Sequence, residues 1–287
     1  PFAPGDLVTF LDVAETCGSC YYCLVAKAST RCPSRKVYGI TYSARDGLLG
    51  GWSERVHLRA GVKAIRLPEE LDAETFIGGG CGAPTAFHGV QRAAIRLNDS
   101  VLVQGCGPVG LSAVAFARIS GAGEIIVIGS PSDRLVLARE MGADLTLDLN
   151  ATSARERLER VRERTGGRGA DVVIEATGNP AAIPEGMMLA RDNGTYVILG
   201  QYTDCGDIKI NPHTMINRKH LDVRGCWGSD FSHFHGAIHT MARHAGRFPW
   251  RRLAQWQYPL ERAGEALADV EAQRVPKAVI RVAAGRV

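Results

Sequence analysis

The hydrophobic rhythm of the chain changes near residue 83 and again near residue 226. Up to residue 82 the apolar positions come in short bursts. Stretches 7–11 and 54–58 alternate as strands do, separated by loops rich in Gly, Pro and Cys. From 84 to 96 the apolar residues recur at helical spacing. Short continuous apolar runs then predict strands at 100–104, 124–128, 145–147, 171–175, 195–199 and 220–225. Helices are predicted between them at 111–119, 132–141, 155–165 and 182–190. Strand, helix, strand at these lengths predicts an α/β fold, a doubly wound and mostly parallel sheet with helices on both faces. The tail predicts helices around 235–245 and 260–271 and a closing strand at 277–282. The expected organisation is a partial, mostly β segment over 1–82, a doubly wound domain over 83–225 and a C-terminal return over 226–287.

Composition narrows the class. Hydrophobic residues make up 45% and charged residues 22%, which is globular material. The net charge of +4 comes from scattered basic residues, so no nucleic-acid partner is expected. No apolar stretch is long enough to span a bilayer and no signal peptide opens the chain, so a cytoplasmic location without a membrane partner is expected. The chain begins at Pro1, close to its first strand and without Met, and sequence upstream is expected to be missing.

The strongest motif joins the 100–104 strand to the following helix. VLVQGCGPVGLSAVAFA contains a Gly-x-Gly-x-x-Gly turn in strand–turn–helix context. Gly105 permits the tight turn, Gly107 lets a pyrophosphate approach the backbone, and Gly110 lets helix and strand pack closely. Pro108 and Val109 open the helix, whose N-terminus presents free N–H groups to phosphate. This identifies a Rossmann dinucleotide site. The next strand ends at Gly129 rather than Asp or Glu, so the usual ribose-binding carboxylate is absent there. Ser130 follows, and Arg134 is the one basic residue nearby. The loop permits NAD or NADP; the balance favours NAD, because no strong phosphate clamp appears.

Cysteine usage supplies a second chemistry. Four of the eight cysteines, Cys17, Cys20, Cys23 and Cys32, fall in one short loop. Clustered soft thiolates suit tetrahedral zinc, with Lys27, Arg31, Arg35 and Lys36 offsetting the charge. Four protein ligands leave no open position, which makes such a site structural. An iron–sulfur cluster and free or disulfide-linked thiols are the alternatives. Cys81 lies between glycines and a helix start, where a buried structural cysteine is the default reading. His235 and His239 stand four apart with His244 beyond, but no Cys or carboxylate accompanies them at a motif distance, so surface or interface roles are expected. His57 and Cys106 are expected to be structural rather than reactive.

Together, GDLV, CGSCYYC…C, GGWSERVHL, CGAPTAFHG, VLVQGCGPVGL, DVVIEATG and KAVIRV make the chain resemble the zinc-dependent medium-chain alcohol dehydrogenases, including their threonine and polyol dehydrogenase-like members. The resemblance implies that Cys17, Cys20, Cys23 and Cys32 hold structural zinc, with a last gap slightly longer than the commonest family spacing. It implies that Cys81 is one ligand of a catalytic zinc and that Thr85 packs near the nicotinamide, against which Val109 also sits. Arg134 would approach the adenosine ribose, and Leu199, Gly200 and Gln201 would line the carboxamide. It implies hydride transfer between an alcohol or polyol and NAD(P), a small alcohol or carbonyl substrate, and a homodimer or homotetramer joined through the strand near 219–225. The family's N-terminal portion of about 80 residues, with its remaining catalytic-zinc ligands, has no counterpart here, so impaired turnover is expected. A zinc-free quinone or enoyl reductase, or a non-catalytic dinucleotide-binding protein, are the alternative readings.

Overall fold

The computed structural model describes residues 2–282. They form two compact units. One comprises residues 2–78, 229–245 and 250–282, the other residues 79–228 and 246–249.

The first unit is built from short strands. β1 (Val8–Phe10) pairs antiparallel with β4 (Ala64–Arg66), and β2 (Val13–Glu15) with β3 (Lys36–Val37). Between β2 and β3 lies the cysteine loop, with one turn of helix, α1 (Tyr21–Leu24). Its small core gathers Ala14, Tyr38 and Leu49, with Phe10, Tyr42, Val56, Leu58 and Val62 packed against them. The strand expected at 54–58 does not form. Its alternation is real, since Val56 and Leu58 face that core, but no ladder accompanies it. His57 N–H donates to Leu48 O at 2.8 Å, and the segment is a packed loop. α2 (Ala73–Gly79) closes this part of the chain.

The second unit opens with α3 (Gly82–Ala93) and continues as alternating strands and helices. These are β5 (Ser100–Gln104), α4 (Pro108–Ile119), β6 (Glu124–Gly129), α5 (Ser132–Glu140), β7 (Leu145–Asp148), α6 (Ala154–Arg164), β8 (Ala170–Glu175), α7 (Ala182–Leu189), β9 (Ala190–Ile198) and β10 (Asp222–Gly225). The six strands form one parallel sheet in the order β10-β9-β8-β5-β6-β7. This is the Rossmann order, and chain direction across the sheet reverses between β5 and β8. Every residue of β5 is buried, as are all five residues of β6 after Glu124, because helices cover both faces. One face packs Leu102, Ile126, Val173 and Tyr196 against Val161, Ile183 and Met187.

Returning to the first unit, α8 (Phe231–Arg243), β11 (Gln257–Pro259), α9 (Ala263–Glu271) and β12 (Val279–Arg281) complete the fold, with β11 and β12 parallel. Asp230 caps α8 by accepting from the Ser232 and His233 N–H groups. Among the described residues, no helix is long and apolar enough to cross a membrane.

Candidate functional site

The first βα turn of the parallel sheet is shaped by close backbone approaches. Gly105 has φ +104°, and a Cβ there would sit 2.7 Å from Ala176 O. A Cβ on Gly110 would sit 2.1 Å from Gly105 O. Both clashes are with backbone, which cannot swing aside, so α4 starts tightly against the strand end only with glycine at these positions. Gly107 is different. Nothing lies within 4 Å of an added Cβ, so its outer side is open space. It is the N-cap of α4 in extended conformation, with no side-chain cap, and Pro108 occupies the first turn. The free N–H groups of α4 therefore face an open, glycine-lined surface, which is the arrangement that binds phosphate. Val109 is half-buried in the same turn.

At the end of β6, Gly129 is buried and Cys106 explains why it is glycine. A Cβ on Gly129 would lie 2.4 Å from Cys106 Sγ. The Cys106 thiol donates to Ser130 O at 3.3 Å, and burial pushes its pKa up to about 11. It packs rather than reacts. Arg134 lies half-buried in the first turn of α5, and its N–H donates to Pro131 O and Asp133 Oδ1.

At the ends of β8 and β9 the geometry is set by a residue that pattern reading passed over. Glu175 is fully buried. Its Oε1 accepts from Thr177 N–H (2.7 Å), Thr177 Oγ1 (2.6 Å) and Gly178 N–H (3.0 Å), and its Oε2 accepts from Gly200 N–H (3.0 Å). The signal was a carboxylate ending an otherwise apolar strand, in DVVIE. Leu199 is buried, its N–H donating to Glu175 O at 3.0 Å. Gln201 Nε2 is buried without a hydrogen-bond acceptor among the described residues.

Cys81 is exposed and occupies the N-cap of α3, contrary to a buried structural default. Its carbonyl accepts from Thr85 Oγ1 at 2.9 Å. The start of α3 lies close to that of α4, since a Cβ on Gly82 would sit 3.2 Å from the Pro108 carbonyl carbon.

In the first unit the four loop cysteines converge. The sulfur atoms of Cys17, Cys20, Cys23 and Cys32 all lie within 4.8 Å of one another, and Cys17 and Cys32 Sγ are 3.6 Å apart. A zinc tetrahedron with Zn–S bonds of about 2.3 Å has edges of about 3.8 Å. The donor set therefore fits zinc in both chemistry and size. The backbone supplies the hydrogen bonds that thiolates accept, from Cys17 N–H to Cys32 Sγ and from Cys20 N–H to Cys17 Sγ, each 3.3 Å. N–H groups of Ser19 and Cys20 lower the Cys17 pKa to about 6, while burial and neighbouring thiols raise that of Cys23 to about 11. The thiols are not joined as disulfides.

Among the described residues this is the one cluster of three or more metal-ligating groups. Cys81 belongs to no such cluster, so a catalytic zinc does not fit the residues present. His235 and His239 lie side by side on one exposed face of α8, their rings tilted by 39° with centroids 4.1 Å apart, also outside any cluster of three among the described residues.

The glycine turn at the switch point of a doubly wound sheet and the tetra-cysteine loop together define a zinc-binding dehydrogenase. Comparison with known proteins agrees. The zinc-binding dehydrogenase family model matches residues 108–243. The chain is 34% identical over 281 residues to the 5-exo-hydroxycamphor dehydrogenase of Pseudomonas putida, covering 98% of this chain and 76% of that protein. An alcohol dehydrogenase from Thermotoga maritima superposes with a TM-score of 0.92 at 33% identity, covering 98% of this chain and 77% of that one. A zinc-binding dehydrogenase from Sinorhizobium meliloti, bound to NADP, superposes at 0.81 with 27% identity, covering 98% and 77%. The chain belongs to the zinc-type, medium-chain alcohol dehydrogenase family, whose members use NAD(P).

Proposed function

We propose that this chain is the dinucleotide-binding and structural-zinc part of an alcohol dehydrogenase-type oxidoreductase. The reaction it serves is hydride transfer between an alcohol or polyol and the nicotinamide of NAD(P). The observation that carries this reading is the turn at Gly105–Gly110, where close backbone packing leaves the N-terminus of α4 uncapped beside the open side of Gly107. The pyrophosphate would rest on those N–H groups, with the adenosine half toward Gly129, Ser130 and Arg134. The nicotinamide half would lie toward Val109, Thr85 and the Leu199–Gln201 segment.

Zinc bound by Cys17, Cys20, Cys23 and Cys32 would clip a loop whose own core is small. A catalytic zinc is not assigned, because Cys81 has too few partners. The expectation is one zinc per chain and dinucleotide binding with impaired turnover. NAD is favoured over NADP, since Arg134 alone stands near the end of β6; the NADP carried by the Sinorhizobium relative keeps the phosphorylated form in the comparison. The edge of β10, unpaired among the described residues, is the proposed seam of a homodimer or of the dimers within a homotetramer.

Two measurements test the reading. Fluorescence titration should find saturable binding of NADH, tighter than that of NADPH. Metal analysis should find one zinc per chain. Two zinc ions would overturn the incomplete catalytic site, and none would overturn the zinc loop.

A further inference from the structure

The carboxylate of Glu175 joins the turns after β8 and β9, the second of which is also held by backbone bonds from the Leu199 and Gly200 N–H groups to Glu175 O. Its Oε1 holds the turn after β8 through Thr177 and Gly178, and its Oε2 holds the turn after β9 through Gly200. The two turns touch at this point. A Cβ on Gly200 would lie 2.5 Å from Gly178 N and 2.6 Å from Glu175 Oε1. The first turn also abuts the glycine loop, with Ala176 O against Gly105. Among the described residues no basic side chain pairs with Glu175. Its carboxylate accepts from three N–H groups and the Thr177 hydroxyl.

A buried carboxylate without a cation is costly unless fully hydrogen-bonded. The core would be served as well by an apolar residue. What a carboxylate adds is two acceptor atoms, about 2.2 Å apart by ordinary geometry, that address two loops at once. We infer that Glu175 is a positioning residue. It locks the turns after β8 and β9 into one rim at the switch point, and so sets the affinity for the nicotinamide half of the dinucleotide. This rests on the dinucleotide reading above. The pyrophosphate lies over the glycine loop, and the ribose position at the end of β6 takes the adenosine half. The other half therefore crosses onto β8 and β9, where the rim stands.

The test compares two ligands on the wild type and on Glu175→Gln. An amide has the same shape but one acceptor atom, so its NH2 must confront either the Gly200 N–H or the Thr177 and Gly178 N–H groups. NADH probes both halves of the site and AMP only the adenosine half. The expected result for Glu175→Gln is NADH binding weakened about tenfold or more, with AMP binding unchanged. Thr177→Val removes the hydroxyl bond to Oε1, along with the bond that hydroxyl accepts from Asn179 N–H, and should weaken NADH about threefold, again sparing AMP. It decides the matter if Glu175→Gln does not fold. Wild-type binding of neither ligand would remove the dinucleotide reading itself. Wild-type binding of NADH with equal binding by both variants would overturn the positioning role alone. Parallel loss of NADH and AMP would make Glu175 a residue of the fold and not of the rim.

Discussion

Gly186 sits in α7 with its bare Cα turned to the sheet. On an open helix, replacing glycine by alanine is stabilising by about 1 kcal/mol. Here the added methyl would lie 2.1 Å from Gln104 Oε1, 2.5 Å from Tyr196 Cε2 and 2.8 Å from the Tyr196 hydroxyl. Those atoms belong to a closed buried network. Gln104 Nε2 donates to Ala182 O at 2.9 Å, and the Tyr196 hydroxyl donates to Gln104 Oε1 at 3.2 Å. Gln104 is 3% exposed and Tyr196 0%, so water cannot replace a displaced partner. Overpacking costs about 1–3 kcal/mol, and a buried polar group left unpaired costs about 1–3 more. After the propensity gain, Gly186→Ala should lose about 1–5 kcal/mol, a fall of roughly 2–20 °C in Tm for a unit of this size. Far-UV circular dichroism during thermal and urea unfolding measures it. Gly264→Ala in α9 is the companion variant. Nothing lies within 4 Å of its methyl, so the propensity term stands alone and stability should hold or rise by up to about 1 kcal/mol. A Gly186→Ala chain as stable as the wild type would refute the close-approach reasoning.

Three further outcomes are expected. Arg157 clamps Glu185 with Nε at 2.6 Å and Nη2 at 3.0 Å, and its own side chain is 7% exposed; Glu185→Ala should cost about 3 kcal/mol by urea unfolding, and Arg157→Met with Glu185→Leu should recover only part of it, because Arg157 also donates to Thr152 O. Cys32→Ser should reduce bound zinc from one per chain to none, and chelation of the wild type should lower the Tm of the unit that holds the loop; unchanged metal content would count against the four-sulfur site. Burial pushes the Asp230 carboxyl upward, but hydrogen bonds from His233 and Ser232 outweigh it and hold the group well below its ordinary value of 3.8. Its contribution is thus fully present above that ordinary value and lost as pH falls below it, and acid unfolding should begin at higher pH in Asp230→Ala than in the wild type.

The parallel sheet was legible because its strands are covered on both faces. Runs such as VLVQ and EIIVI therefore read as continuous apolar segments, and the expected 100–104 and 124–128 lie within or on β5 and β6. β9 was only half legible. It begins at Ala190 rather than 195, and its first part, with Arg191, Asp192 and Asn193, reads as a turn because the pairing with β8 shifts register there. The first unit resisted pattern reading for a different reason. β2 and β3 span three and two residues, too few for alternation to register. At the candidate site the glycines and the clustered cysteines announced themselves by type and spacing. Glu175 and the Cys106–Gly129 contact did not, since each depends on a partner distant in sequence.

That last contact makes two positions inherit change together. Restoring a ribose-binding carboxylate at the end of β6 appears on paper to need one substitution, Gly129→Asp. The added Cβ, however, would enter the space that Cys106 Sγ holds 2.4 Å away, so the single change has to push that thiol out of its buried place. Cys106→Gly would clear that space. A carboxylate at the end of β6 is therefore coupled to a residue in the middle of the glycine loop, and the two positions constrain each other across the sheet edge.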